Sequence, residues 1–92
     1  MSSRHTYLTL VFTDSLFTTL MSNDFTTAER RQFIRALERL DTNERHPSLR
    51  VHQLQGDQSG IWSASASDVL RLTFERLPDG KKRMIECSRH YQ

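Results

Sequence analysis

The chain has 92 residues, of which 36% are hydrophobic and 26% are charged, and this size suits one small domain spanning residues 1–92. Thirteen lysines and arginines against eleven acidic residues give a net charge of only +2, too small by itself to indicate a polyanionic ligand. No apolar run approaches the roughly 20 residues that span a bilayer, the N-terminus lacks the apolar core of a secretory signal, and the single Cys87 cannot form an internal disulfide. These features argue against a membrane protein and predict a cytoplasmic one.

The first half of the chain begins with the pattern of a strand followed by a short helix. Tyr7–Phe12 alternates weakly and is rich in β-forming side chains, which predicts a first strand. Thr13 and Asp14 then offer capping oxygens for an amphipathic helix. The apolar positions of this helix recur at helical spacing and are Leu16, Phe17, Leu20 and Met21.

A second helix has the stronger sequence signal. Thr26 and Glu29 form a capping-box pattern at its start. An apolar stripe follows at helical spacing, and its members are Phe33, Ala36, Leu37 and Leu40. The sequence therefore predicts a helix from about Thr27 to Leu40.

From Leu49 onward the hydrophobic period changes from helical to two. Segments with turn compositions separate four strand-like runs, which are Leu49–Leu54, Ile61–Ala66, Val69–Arg76 and Arg83–Ser88. The order strand, helix, helix, strands predicts an α+β fold. Both helices would pack on one face of a four- to five-stranded, largely antiparallel sheet, and the other face would stay partly open.

That open face would carry cationic and imidazole side chains. Because a strand alternates its side chains between faces, Arg50 and His52 would share one side of their run, and Arg71 would lie opposite the neighbouring leucines. His90 would lie opposite Cys87. Two imidazoles and two guanidinium groups could therefore meet on one polar surface.

Several motifs are missing from the sequence, and their absence limits the kinds of reaction that these side chains could carry out. No pair of histidine or cysteine residues has the tight spacing of metal ligands, so a metal site is not expected. The three glycines do not form a phosphate-binding loop, so a nucleotide cofactor is not expected either. No serine stands in the G-x-S-x-G context of a serine hydrolase.

Imidazole and guanidinium groups together suit phosphodiester cleavage in RNA. The reaction needs a base for the 2′-hydroxyl, cations for the charged phosphate and an acid for the leaving 5′-oxygen. Histidine serves both proton-transfer roles near neutral pH, and arginine clamps phosphate oxygens. This chemistry requires no metal.

Structural explanations compete with each of these assignments. His52 could be a partly exposed strand residue, Arg71 could pair with Glu75 or Glu86, and His90 could belong to a frayed end. Three arginines recur every four residues on the second helix and could form a solvated face or the wall of an RNA groove; they are Arg31, Arg35 and Arg39.

The order of elements and four segments resemble the RelE/ParE superfamily of bacterial toxin–antitoxin toxins, in particular its RelE, YafQ and HigB-like branches. The segments are Pro47–Gly56, Gly60–Ser63, Leu70–Phe74 and the late His90. The resemblance implies a RelE-like fold and a small cytosolic endoribonuclease that cuts messenger RNA in the ribosomal decoding site without a metal or cofactor. It also implies a cognate antitoxin as partner, in a toxin–antitoxin hetero-oligomer.

The resemblance further assigns roles to individual residues. His52 would act as general base or phosphate-orienting group, His90 would transfer a proton, and Arg71 would grip the scissile phosphate. The RNA backbone would be held by a looser set of cations, which are Arg50, Arg89, Arg31, Arg35 and Lys82. Two other functions remain open on the same fold, a ParE-like inhibitor of DNA gyrase and an inactive homologue that only binds an antitoxin.

Overall fold

A computed structural model of the chain describes residues 5–56 and 60–90. In this part of the chain the strands are β1 (Leu10–Phe12), β2 (His52–Gln53), β3 (Trp62–Ser65), β4 (Leu70–Arg76) and β5 (Lys82–Arg89). The helices are α1 (Asp14–Leu20) and α2 (Thr27–Thr42), and a 3-10 turn covers Pro47–Leu49. The strands form one sheet in the order β1-β5-β4-β3-β2, in which β1 runs parallel to β5 and the other neighbours are antiparallel. The predicted α+β fold is confirmed.

Both helices begin at the residues that the sequence indicates. The Thr13 hydroxyl accepts a hydrogen bond from Leu16 N at 3.1 Å and caps α1. The capping box of α2 is complete, because Thr26 Oγ1 accepts from Glu29 N and the Glu29 carboxylate accepts from Thr26 N. Such caps satisfy backbone N–H groups that have no partner inside the helix. Neither helix is long and apolar enough to cross a membrane, as far as the described residues show.

One hydrophobic core lies between the helices and one face of the sheet. The apolar stripe of α2 is buried as predicted and packs with the alternate residues Leu70, Leu72 and Phe74 of β4. Full burial of such side chains contributes about 1.5–3 kcal/mol each. The prediction for α1 holds only in part, since Leu16 and Leu20 are buried but the other two apolar positions, Phe17 and Met21, are 52% and 65% exposed.

The first strand is shorter than predicted. Leu8 and Thr9 donate their backbone N–H groups to the Asp41 carboxylate near the end of α2, with N–O distances between 2.7 and 3.2 Å. A backbone whose donors are used by a side chain cannot form a strand ladder there. The strand therefore begins only at Leu10.

The strand predicted over Leu49–Leu54 is mostly a turn. Pro47 begins the 3-10 turn, and Arg50 follows it in the left-handed conformation, with φ of 47° and ψ of 46°. Only His52 and Gln53 remain as β2. The expectation that Arg50 and His52 share one strand face is therefore wrong, because Arg50 lies in the reversal that precedes the strand.

A β-bulge divides β5 into two parts. Phe74 of β4 pairs with Met84 and Thr73 pairs with Glu86, so Ile85 is the extra residue between them. The bulge allows Met84 and Cys87 to be buried on the helix side of the sheet. The side chain of Glu86 consequently belongs to the face away from the helices.

Candidate functional site

The face of the sheet away from the helices presents polar side chains in two rows. The first row crosses four strands through directly paired residues, which are His52, Ser63, Thr73 and Glu86. The second row contains Arg71, whose partners on the two adjacent strands are Ser65 and Ser88. Neighbouring strands lie about 4.8 Å apart, so each row forms a compact band of polar groups.

All members of these rows except Ser65 line a concavity of about 460 Å³, referred to below as the cleft. Its lining residues are His52, Leu54, Ser63, Arg71, Thr73, Glu86, Ser88, Arg89 and His90. The three side chains that the sequence selects for catalysis, His52, Arg71 and His90, therefore border the same cleft. The backbone N–H of His90 donates to Val69 O at 2.6 Å, which holds this residue beside the start of β4.

The hydrogen bond of His52 defines the state of its ring. Nδ1 lies 2.8 Å from the carbonyl oxygen of Arg50. Because a carbonyl oxygen only accepts, Nδ1 carries the proton, and Nε2 is the nitrogen that can exchange a proton with a ligand. The unusual backbone at Arg50 thus orients an imidazole of the cleft.

Arg71 is half-buried and is held by backbone carbonyl groups. Its Nη1 donates to Ser67 O at 2.8 Å and to Leu70 O at 3.1 Å. The predicted alternative, an ion pair with Glu75 or Glu86, is absent among the described residues, and Glu75 pairs with Arg83 instead. The guanidinium group keeps its charge and further N–H donors for an anionic ligand.

The first row contains a buried hydroxyl group that has no hydrogen-bond partner among the described residues. The hydroxyl oxygen of Thr73 is buried and has no hydrogen-bond partner in the described part of the chain, and Ser63 beside it is also buried. A buried polar group without a partner costs roughly 1–3 kcal/mol.

A second concavity, of about 480 Å³, lies between α2, the 3-10 turn and the loop after β3. Three arginines border it, Arg35, Arg39 and Arg50, and it is called the arginine groove below. Arg39 donates to Ser48 Oγ at 2.8 Å, and none of the three takes part in an ion pair within residues 5–56 and 60–90. Arg31 is exposed on the same helix. The groove has an excess of positive charge.

Two of the predicted RNA-binding residues, Lys82 and Arg89, instead contact glutamate side chains of the protein itself. Lys82 is only 4% exposed, and its Nζ lies 3.2 Å from Thr9 Oγ1 and 3.5 Å from Glu44 Oε1. Burial makes it inaccessible to RNA, which corrects the expectation for this residue. Arg89 borders the cleft, but it donates to both carboxylate oxygens of Glu29 and is therefore committed to an ion pair.

Three polar residues of the cleft were not predicted as site residues, namely Ser63, Thr73 and Glu86. The alternation of Glu86, Ser88 and His90 along β5 is the signal that could have found the last of them. No group of three or more His, Cys, Asp or Glu side chains suited to a metal ion occurs within the described ranges.

Comparisons with solved structures show the fold of this chain. A YoeB/ParE toxin from Agrobacterium tumefaciens superposes with a TM-score of 0.70 at 21% identity, over 91% of this chain and 100% of that chain. The YoeB dimer from Staphylococcus aureus superposes with a TM-score of 0.67 at 17% identity, over 94% of this chain and 100% of that chain. YafQ from E. coli superposes with a TM-score of 0.62 at 15% identity, over 87% of this chain and 90% of that chain. No family model and no curated protein matches the sequence. The chain therefore has the RelE/ParE-like toxin fold.

Proposed function

We propose that this chain, whose fold is that of the RelE/ParE-like toxins, is the toxin of a type II toxin–antitoxin system and a metal-independent endoribonuclease that cleaves messenger RNA on the ribosome. The observation that carries the proposal is the convergence of His52, Arg71 and His90 on one cleft. A fold alone does not fix a function, and for this reason the proposal rests on the chemistry of those three groups.

In the proposed reaction the cleft holds a ribose-phosphate. Arg71 binds the non-bridging oxygens of the scissile phosphate and stabilises the added negative charge of the pentacoordinate transition state. A base removes the 2′-hydroxyl proton, and the 2′-oxygen attacks phosphorus. The bond to the 5′-oxygen breaks, and His90 supplies the proton that this oxygen takes up. The products are a 2′,3′-cyclic phosphate and a 5′-hydroxyl.

His52 has two possible roles in this scheme, as general base or as a group that orients the phosphate. The hydrogen bond from Nδ1 to Arg50 O supports either role, because it leaves Nε2 available to the ligand. A neutral ring would accept a proton there, and a protonated ring would donate a hydrogen bond to a phosphate oxygen.

The arginine groove is proposed to hold the RNA backbone outside the cleft. Arg35 and Arg50 border the groove without a carboxylate partner in the described residues, and Arg31 extends its charge along α2. Phosphate contacts of this kind supply affinity that depends on salt but not on sequence.

The proposed protein partner is a cognate antitoxin that forms a hetero-oligomer with the toxin in the cytoplasm. Structures with this fold include a YoeB–YefM complex from Staphylococcus aureus and a toxin–antitoxin complex, RelBE2, from Mycobacterium tuberculosis. These complexes support the proposal of an antitoxin partner for this chain.

Induced expression in bacteria followed by mapping of RNA ends tests the proposal. The unaltered chain should arrest growth and produce new 5′ ends within coding regions, and His90→Gln should abolish both effects. His46→Gln provides a matched control, because His46 lies outside the cleft. Broken DNA with intact transcripts would instead indicate a gyrase inhibitor, and the absence of any growth defect would indicate an inactive homologue.

A further inference from the structure

Glu86 is an acidic residue in a cleft that otherwise suits an anionic substrate. It lies on β5 opposite Thr73 and borders the same concavity as His52, Arg71 and His90. A carboxylate in this position repels phosphate. It is compatible with RNA binding only if it faces a hydrogen-bond donor of the substrate.

Glu86 also differs from three other glutamates. Glu29, Glu44 and Glu75 each form an ion pair, whereas no ion pair of Glu86 occurs within residues 5–56 and 60–90. The carboxylate is exposed. It is therefore available to accept a proton or a hydrogen bond from a ligand.

The register of β4 and β5 places Glu86 and His90 on opposite sides of Arg71. Arg71 pairs with Ser88, and Glu86 precedes Ser88 by two residues while His90 follows it by two. At about 3.3 Å per residue the two flanking positions are roughly 13 Å apart along the strand, with the Arg71–Ser88 backbone pair midway between them. In-line displacement at phosphorus requires base and acid on opposite sides of the phosphate, and a phosphate bound beside the Arg71–Ser88 pair would have Glu86 and His90 on its two sides.

Resting on the proposed function, we propose that Glu86 is the general base of the cleavage reaction. Its carboxylate takes the proton from the 2′-hydroxyl, the 2′-oxygen forms a bond to phosphorus, and the bond from phosphorus to the 5′-oxygen breaks as that oxygen takes the His90 proton.

This assignment gives His52 the phosphate-orienting role. His52 lies on β2, two strands away from Arg71, whereas Glu86 lies on the strand adjacent to it. At about 4.8 Å between strands, the imidazole is the more distant of the two from the phosphate that Arg71 holds. An orienting hydrogen bond from His52 to a phosphate oxygen of the bound strand is compatible with that distance.

Kinetics on ribosome-bound mRNA with a sulfur atom in place of the bridging 5′-oxygen test the inference. A thiolate leaves without protonation, so this substrate removes the need for a general acid but not for a base. On normal mRNA, Glu86→Gln and His90→Ala should each lower kcat by about 100-fold or more. On the sulfur-containing substrate His90→Ala should recover and Glu86→Gln should not.

The steady-state parameters add a readout that a structural role would not change. Glu86→Gln removes a negative charge near the phosphate, so KM should stay equal or fall while kcat drops. Glu75→Gln is the matched control on the adjacent strand, since Glu75 pairs with Arg83 outside the cleft and its loss should leave kcat unchanged. Thermal melting of both variants verifies that each is folded.

Two results would overturn the inference, and they differ from failure of the proposed function. Cleavage by Glu86→Gln within twofold of the unaltered chain would exclude a base at this position, as would its recovery on the sulfur-containing substrate. Absence of cleavage by the unaltered chain on normal mRNA would overturn the proposed function, and this inference with it.

Discussion

Arg89 donates two hydrogen bonds to the Glu29 carboxylate, with Nη1–Oε2 and Nη2–Oε1 distances of 2.7 and 2.9 Å. The guanidinium group also donates to Asp24 O and lies 5.5 Å from the centroid of the Phe25 ring. These contacts tie the end of β5, and hence the strand that carries the cleft, to the start of α2. Arg89 therefore fixes the position of neighbouring cleft residues.

This ion pair should make the stability of the fold depend on pH. The hydrogen bond from Arg89, followed by one from the Thr26 backbone, lowers the pKa of Glu29 from 4.5 to about 2. A carboxylate with a depressed pKa stabilises the folded state above pH 4.5, and this contribution is lost as the pH falls toward 2. Glu29→Gln should lower the melting temperature at pH 7 and have no effect near pH 2. A difference that persists unchanged at pH 2 would contradict the assignment.

Asp41 should contribute more to stability than an exposed aspartate. Its side chain is 2% exposed. Burial raises its pKa, but hydrogen bonds from Thr9, His5 and Leu8 outweigh burial and hold the pKa at about 2. Asp41→Asn should lower the free energy of unfolding by roughly 1–3 kcal/mol, because the amide keeps only one of the two acceptor oxygens that His5, Leu8 and Thr9 use. Denaturant titration measures the loss, and Asp79→Asn in the exposed β4–β5 turn should cost less. Equal losses would refute this role.

The elements with strong local signals could be predicted from the sequence. The capping box of Thr26 and Glu29 and the apolar stripe after it depend on residues three or four positions apart, and these were correct. The shortened β1 depends on Asp41, more than thirty residues away, which no local pattern contains. The reversal at Arg50 requires a left-handed residue that composition alone does not indicate.

The cleft was predictable where strands alternate regularly. Arg71 follows strict alternation in β4 and lies on the expected face. In β5 strict alternation would put Met84 and Glu86 on the same face, and only the bulge at Ile85 separates the buried methionine from the exposed glutamate. From Glu86 onward the alternation is regular, so Glu86 shares the face of Ser88 and His90.

Lys82 should affect stability but not RNA binding. Its ammonium group is buried against Thr9 and Glu44, so Lys82→Met should lower the free energy of unfolding by roughly 1–3 kcal/mol by removing a buried partner. RNA affinity, measured by filter binding or fluorescence anisotropy on the folded variant, should stay unchanged. Lys81→Met at the exposed neighbouring position is the matched control for stability. A large loss of RNA affinity in Lys82→Met but not in Lys81→Met would show that Lys82 binds RNA after all.

Substitution of Arg50 should weaken RNA binding without lowering the free energy of unfolding. A non-glycine residue in the left-handed region is strained by about 1–2 kcal/mol, so Arg50→Gly should leave the free energy of unfolding equal or raise it by up to about 1 kcal/mol. The same change should weaken RNA binding and reduce the slope of log K against log salt by about 1. Arg50→Asn, which tolerates this backbone conformation, should weaken binding to the same extent. Unchanged affinity in both variants would remove Arg50 from the RNA-binding surface.

The chemical identity of the RNA ends tests the central claim most directly. The purified chain is incubated with mRNA on programmed ribosomes, and the chemical groups at the cleaved ends are analysed. Acid–base cleavage by the cleft predicts a 5′-hydroxyl and a 2′,3′-cyclic phosphate, both lost in His90→Ala. Intact mRNA or 5′-phosphate ends would contradict it.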